Sequence, residues 1–383
     1  MAIVDARPTS AARDPFRTTS EARSWMLLAA EPSASAAMET MPTLHTAGGR
    51  YRRGAGRSIA WRGTKLELPR DVTASSIWWH TTRIDIGRPR LSSNGISNSD
   101  MSTPRVFDGK LAIITGASRS FGAALATHFA SRGANVVINY ATSASDARAQ
   151  ELAKKLSAEH NITAVPIRAD LLDPAAPQQL IDAAKSHFSK NGKFQIDILI
   201  NNAAIVNAQP IQDLDLDLFQ QTFDLNVRAP ALLIKAAFPH LPTNRSGRIV
   251  NISSATTTWG LIQQTSYAGT KGAIEAMTRV WARELAERAT VNSVSPGPMD
   301  TGLLNGLPEA PREALKLYNA LIPLARERPG VDTQDMLRLA REIGGRPGTL
   351  EEVAGVVGIA CLPESGWMTG NQLGASGGGA FVR

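Results

Sequence analysis

Residues 254–271 read S-A-T-T-T-W-G-L-I-Q-Q-T-S-Y-A-G-T-K, and three of them carry proton chemistry: Ser254, Tyr267 thirteen positions on, and Lys271 four beyond that. Side chains at i and i+4 share a face of a helix, so the helix-like run that follows sets the ammonium beside the phenol. A free phenol, with a pKa of about 10, is a poor acid or base near neutrality, and a neighbouring cation favours the phenolate and lowers that value. A tyrosine tuned in this way passes a proton to or from a carbonyl or alcohol oxygen. The same Y-x-x-x-K spacing also occurs on solvated helix faces with no chemistry, so its meaning depends on what else the chain carries.

A second stretch is suited to a ligand. Thr115–Gly122 reads T-G-A-S-R-S-F-G at the junction of an apolar run and a helix-like one. Glycine lets the backbone turn tightly and approach a pyrophosphate, whose charge a helix N-terminus stabilises. The alternative is that Gly116 and Gly122 serve only the turn.

The elements that must position these residues alternate. Short apolar runs at 111–115, 134–139, 164–168, 196–201, 248–253, 291–294 and 372–375 read as strands. Amphipathic runs at 123–131, 145–159, 177–188 and 216–238, and the run after Lys271, read as helices. This alternation implies an α/β fold with a parallel sheet covered by helices. No internal repeat is visible.

Composition bounds the rest. Residues 1–100 hold 14 Lys and Arg against 9 Asp and Glu, and the remainder 27 against 25, so most of the basic excess lies in the first hundred residues. The near-neutral remainder gives no basic footprint for nucleic acid. Cys361 is the sole cysteine, which excludes an intramolecular disulfide, suits a reducing, cytoplasmic setting and reads as a core residue. No apolar run reaches the length of a membrane span. Residues 1–100 lack periodicity and read as a mostly disordered extension, although Trp25, Trp61, Trp78 and Trp79 fall there. Composition changes abruptly at Met101, where M-S-T-P-R-V-F-D-G-K-L-A-I-I-T-G reads like the start of an enzyme, and we expect a catalytic domain over 101–383.

From about Phe107 onward the motifs resemble, in order, those of the short-chain dehydrogenase/reductase family. The loop matches T-G-x-x-x-G-x-G, with Ser120 in place of the middle glycine, then Phe121 and Gly122. N-N-A-A at 201–204 resembles N-N-A-G, S-P-G-P-M-D-T at 295–301 resembles P-G-x-x-x-T, and W-M-T-G-N-Q-L-G-A-S-G-G-G resembles the family's closing segment. The resemblance implies a Rossmann-type doubly wound sheet. It makes Ser254, Tyr267 and Lys271 a catalytic triad, with Asn226 of D-L-N-V completing a tetrad. Tyr267 then protonates a carbonyl oxygen that Ser254 orients. Lys271 keeps the phenol's pKa low and grips the nicotinamide ribose, and Asn226 holds a water for proton exchange. Cofactor contacts fall to Gly116, Asn202, Tyr267, Lys271, Pro296, Gly297 and Thr301, with Asp170 at the adenine ring. From the residues alone, Asp170 is equally a helix cap, Asn226 a helix cap or kink, and Asn202 a turn residue.

An acid at the end of the second strand bonds the ribose 2′-hydroxyl of NAD, whereas a 2′-phosphate is repelled by an acid and drawn to arginine. Here V-V-I-N-Y-A-T-S places Tyr140 at that point, and Arg119, Thr142 and Ser143 are placed to hold a phosphate, which predicts NADP(H). No metal is expected. Residues 302–347 depart most from the family and are expected to form a substrate loop and lid, with a helix around 333–343 and Trp259 lining the pocket. The activity expected is reduction of a hydrophobic 3-oxoacyl or polyketide-type ketone by a homotetramer or homodimer, with a small-molecule substrate and no nucleic-acid or membrane partner. Alternatives are an alcohol dehydrogenase using the same residues, a non-catalytic NADP-sensing regulator, and an N-terminal extension that binds an acidic partner or membrane surface.

Overall fold

The computed structural model describes residues 104–301 and 308–380. The expected N-terminal extension and the first residues of the 302–347 segment lie outside the described residues.

Seven apolar runs form strands: β1 (Leu111–Ile114), β2 (Asn135–Tyr140), β3 (Ala164–Arg168), β4 (Ile198–Asn201), β5 (Gly247–Ile252), β6 (Ala289–Pro296) and β7 (Gln372–Ala375). Each lies within two residues of its expected span. All neighbours pair in parallel, in the order β3-β2-β1-β4-β5-β6-β7. Successive strand residues point to opposite faces, and both faces are dry. Ile114 and Ile138 pack with Leu125 and Phe129 of α1 (Ser120–Ala130), Leu156 of α2 (Asp146–His160), and Val357 of a C-terminal helix. Ile113 and Leu199 pack with Leu180 of α3 (Ala176–Phe188) and Leu233 of α5 (Ala229–Ala237) on the other face. Fully burying such a side chain contributes roughly 1.5–3 kcal/mol.

Winding reverses between β1 and β4, which leaves a crevice beyond the carboxyl ends of these strands. The expected helix over 216–238 is divided: α4 (Leu216–Phe223) and α5 are joined by a π-helical turn at Asp224–Arg228. A four-residue helix, α6 (Thr256–Trp259), follows β5 and leads to α7 (Thr265–Glu284), twenty residues long. The 302–347 segment contributes α8 (Glu309–Ala320) and α9 (Gln334–Ile343), the latter capped by Thr333, whose side chain accepts from Met336 N. A capping box at Thr349 and Glu352 starts α10 (Leu350–Cys361), the helix that carries Val357. Among the described residues no helix is long and apolar enough to cross a membrane.

Candidate active site

The crevice is a cleft of about 480 Å³ beyond β1, β4, β5 and β6. Its nucleotide half is set by the loop after β1. Thr115 Oγ1 accepts from the backbone N–H groups of Asn202 and Ala203, both at 2.9 Å, and Asn202 Nδ2 donates to Thr115 O at 2.8 Å. These bonds join the loops after β1 and β4. Gly122 is required by packing, because a Cβ there would come within 2.1 Å of Gly116 O. Ser120 adopts the left-handed region at φ 51°, which costs a non-glycine residue about 1–2 kcal/mol. Its Oγ is buried without a partner while the residue lines the cleft. The first turn of α1 has no side-chain cap and no acidic residue. An uncapped helix start, an unsatisfied hydroxyl and a glycine-tight loop fit a pyrophosphate.

At the end of β2, Tyr140, Thr142 and Ser145 line the wall. Ser143, expected there, opens a short 3-10 turn, Ser143–Ser145, and it is Ser145 that reaches the cleft. Asp170 is also not on the wall: it is exposed after β3, and its carboxylate accepts from Leu172 N at 3.1 Å, satisfying a local turn. An acid that the sequence did not single out lies nearby. Asp146, the first residue of α2, lies 3.6 Å from Arg168, and its carboxylate, after burial, pushes the Tyr140 phenol up. It does not line the cleft. Arg119 and Lys271 are the only charged side chains that do, among the described residues.

The chemical half is built by β5 and α7. Ser254 follows β5, where its Oγ donates to Thr256 Oγ1 at 3.1 Å and accepts from Thr256 N at 3.2 Å. Tyr267 and Lys271 lie one turn apart on α7, with Lys271 Nζ 5.5 Å from the phenol's ring centroid. Lys271 is 3% exposed and donates to Ile252 O at 2.7 Å. Burial pushes its pKa down to about 8, with Glu275 opposing. The Tyr267 phenol is pushed up by burial, with a hydrogen bond to Ser254 opposing. A cation one helical turn away was expected to lower it. Tyr267 lines the cleft, but desolvation of its hydroxyl decides the direction, and the neighbouring cation is itself buried and bonded to a carbonyl.

Asn226 sits in the π-helical turn, 1% exposed and off the cleft wall. Its amide accepts from Ile205 N at 2.8 Å and donates to Ile205 O at 2.9 Å and Thr270 Oγ1 at 3.1 Å. The turn therefore braces both the loop after β4 and the helix that carries Lys271.

Pro296, Gly297 and Thr301 line the far wall. A Cβ on Gly297 would stand 2.9 Å from Ser376 Cα, so the chain near the C-terminus closes tightly behind it. Leu315 of α8 reaches the cleft, and Tyr318 of the same helix stacks on Trp259 at 5.3 Å with 7° between planes. Its hydroxyl donates to Trp259 O at 3.0 Å, and Trp259 Nε1 donates to Gly379 O at 2.8 Å. The helix α9 lines nothing in the cleft: Asn319 Nδ2 donates to Ile343 O at 2.7 Å, so α9 backs α8 as a second layer. Gln264, which the sequence reading did not single out, lines the cleft and accepts from Thr256 Oγ1 at 3.1 Å.

Residues 110–312 match the family model for short chain dehydrogenase. The chain is 43% identical to L-xylo-3-hexulose reductase of Hypocrea jecorina, over 72% of this chain and 97% of that protein. It is 41% identical to L-xylulose reductase of Aspergillus niger, over 73% and 99%. Among solved structures, the crystal structure of a blue fluorescent protein from a metagenomic library in complex with NADPH shares 33% identity, covering 72% of this chain and 99% of that one at a TM-score of 0.60. With the parallel sheet, the glycine-tight loop and the match over most of the described chain, the protein belongs to the short-chain dehydrogenase family and is an oxidoreductase.

Proposed function

We propose that the chain reduces a ketone to a secondary alcohol with NADPH. The observation that carries this reading is the convergence of Ser254, Tyr267 and Lys271 on a cleft whose described wall holds two cations and no carboxylate. Arg119 stands where it can pair with a 2′-phosphate, and Tyr140 replaces the acid that would favour NAD. Binding of NADPH by the metagenomic relative supports the same choice. When bound, the nicotinamide supplies the hydride. Tyr267, held protonated by burial, donates its hydroxyl proton to the carbonyl oxygen as negative charge develops there. Ser254 donates a hydrogen bond to the same oxygen and orients it. Lys271 stabilises the phenolate left behind and binds the nicotinamide ribose.

For the substrate, a polyhydroxy ketone is favoured. Two relatives are named as reductases of L-xylulose and L-xylo-3-hexulose, and the paired side chains of Thr256 and Gln264 offer polar groups to sugar hydroxyls. A hydrophobic 3-oxoacyl or polyketide-type ketone is the second reading, favoured by the apolar wall of Trp259, Leu261, Met299 and Leu315. A panel of L-xylulose, other ketoses, 3-oxoacyl thioesters and aromatic polyketide ketones, followed by NADPH absorbance, separates them. We expect the highest kcat/KM with a ketose, and NADPH favoured over NADH by about tenfold or more. Equal kcat/KM with the two nucleotides sinks the cofactor assignment, and turnover of acyl or aromatic ketones alone sinks the substrate assignment.

A further inference from the structure

Glu275 lies one helical turn beyond Lys271 on α7, half-buried and off the cleft wall. Its Oε1 collects three hydrogen bonds from three other parts of the fold. Ser253 Oγ, from the residue before Ser254, donates at 2.5 Å. Thr257 Oγ1 of α6 donates at 3.0 Å and also lies 3.0 Å from Ser254 O. Gln372 Nε2 of β7 donates at 2.7 Å and equally contacts Ser295 Oγ of β6. One carboxylate thus ties together the strand end that presents Ser254, the helix that presents Tyr267 and Lys271, and the two strands behind Pro296 and Gly297.

We propose that Glu275 is a positioning residue of this active site, fixing the strand end that carries Ser254 and holding a compensating negative charge one turn from Lys271. The proposal rests on the reading of Ser254, Tyr267 and Lys271 given above. Hydroxyl and amide donors from β5, α6 and β7 face Glu275, and all are neutral. Among the described residues, the ionisable groups facing Lys271 are Tyr267 and Glu275, both on its own helix, and its strand neighbour is the Ile252 carbonyl. A neutral side chain would satisfy the donors about as well, so a carboxylate here has an electrostatic consequence. It favours the protonated lysine, offsetting part of the burial that drives the ammonium towards neutrality.

The test compares wild type, Glu275→Gln, Glu275→Ala and Tyr267→Phe in the full chain. NADPH affinity is followed by nucleotide fluorescence, and kcat with the panel's fastest ketone, between about pH 6 and 10. Glu275→Gln keeps an acceptor oxygen and loses the charge, so its alkaline limb is expected to move down by about one pH unit in both profiles. Glu275→Ala also loses the acceptor, and kcat is expected to fall by about tenfold or more below that of Glu275→Gln. An alkaline limb in Glu275→Gln that superimposes on wild type overturns the electrostatic role, and equal kcat in the Gln and Ala variants overturns the positioning role. Wild-type turnover in Tyr267→Phe sinks the site reading itself. Loss of turnover there with an unmoved Glu275→Gln limb sinks only the proposal for Glu275.

Discussion

Lys271 is a buried cation whose pKa falls from its ordinary value to about 8. A lysine depressed in the folded state binds fewer protons there than in the unfolded chain between the two pKa values, so folding stability rises with pH across that window. Relative to a Lys271→Met variant, which lacks this titration, wild type should gain on the order of 3 kcal/mol from about pH 8 to 10.5. Urea unfolding of both proteins at several pH values checks this, and parallel stability curves would show that the ammonium is not desolvated. The Tyr267 and Lys271 pair was legible because i and i+4 share a helix face, whereas Ser254 was placed beside them by the family resemblance. The direction of the Tyr267 shift was not legible, since it is decided by burial from β5 and the loops above it. Glu275 and Asp146 were missed for a related reason: their partners, Ser253, Gln372 and Arg168, are distant in sequence.

At the scale of elements, the strands were read from apolar runs bounded by turn residues, and every expected run forms one. Periodicity could not show the break in the helix over 216–238. A π-helical turn shifts the hydrogen-bond ladder by one residue without changing which residue types surround it. Asn226 marks the place, since its amide serves Ile205 and Thr270. The 302–347 segment was expected to form a lid that includes the helix around 333–343, yet that helix, α9, lines nothing in the cleft and backs α8. What holds α8 against the cleft is Tyr318 against Trp259. Tyr318→Phe keeps the ring stack and loses the hydrogen bond, worth about 1 kcal/mol, so KM should rise roughly fivefold with kcat nearly unchanged. Steady-state kinetics decide it, and an unchanged KM would leave the clasp without a role in substrate binding.

In the whole molecule, the sheet order places the reversal of winding between β1 and β4, and the groups that line the cleft come from the segments that follow the strands' carboxyl ends, while Ser143, Asp170 and Asn226 stay off its wall. The glycine loop follows β1, Asn202 follows β4, Ser254 follows β5 and Pro296 closes β6. This convergence brings the glycine loop and Tyr267 into one cleft from segments more than a hundred residues apart, and it is why a weak local motif gains weight. On the function proposed above, Tyr267 delivers the proton in an NADPH-dependent reduction. The most direct measurement is kcat of full-length Tyr267→Phe with its NADPH dissociation constant determined in parallel. We expect kcat to fall by about a thousandfold or more while the dissociation constant stays within about twofold of wild type. A variant that keeps wild-type kcat would contradict it.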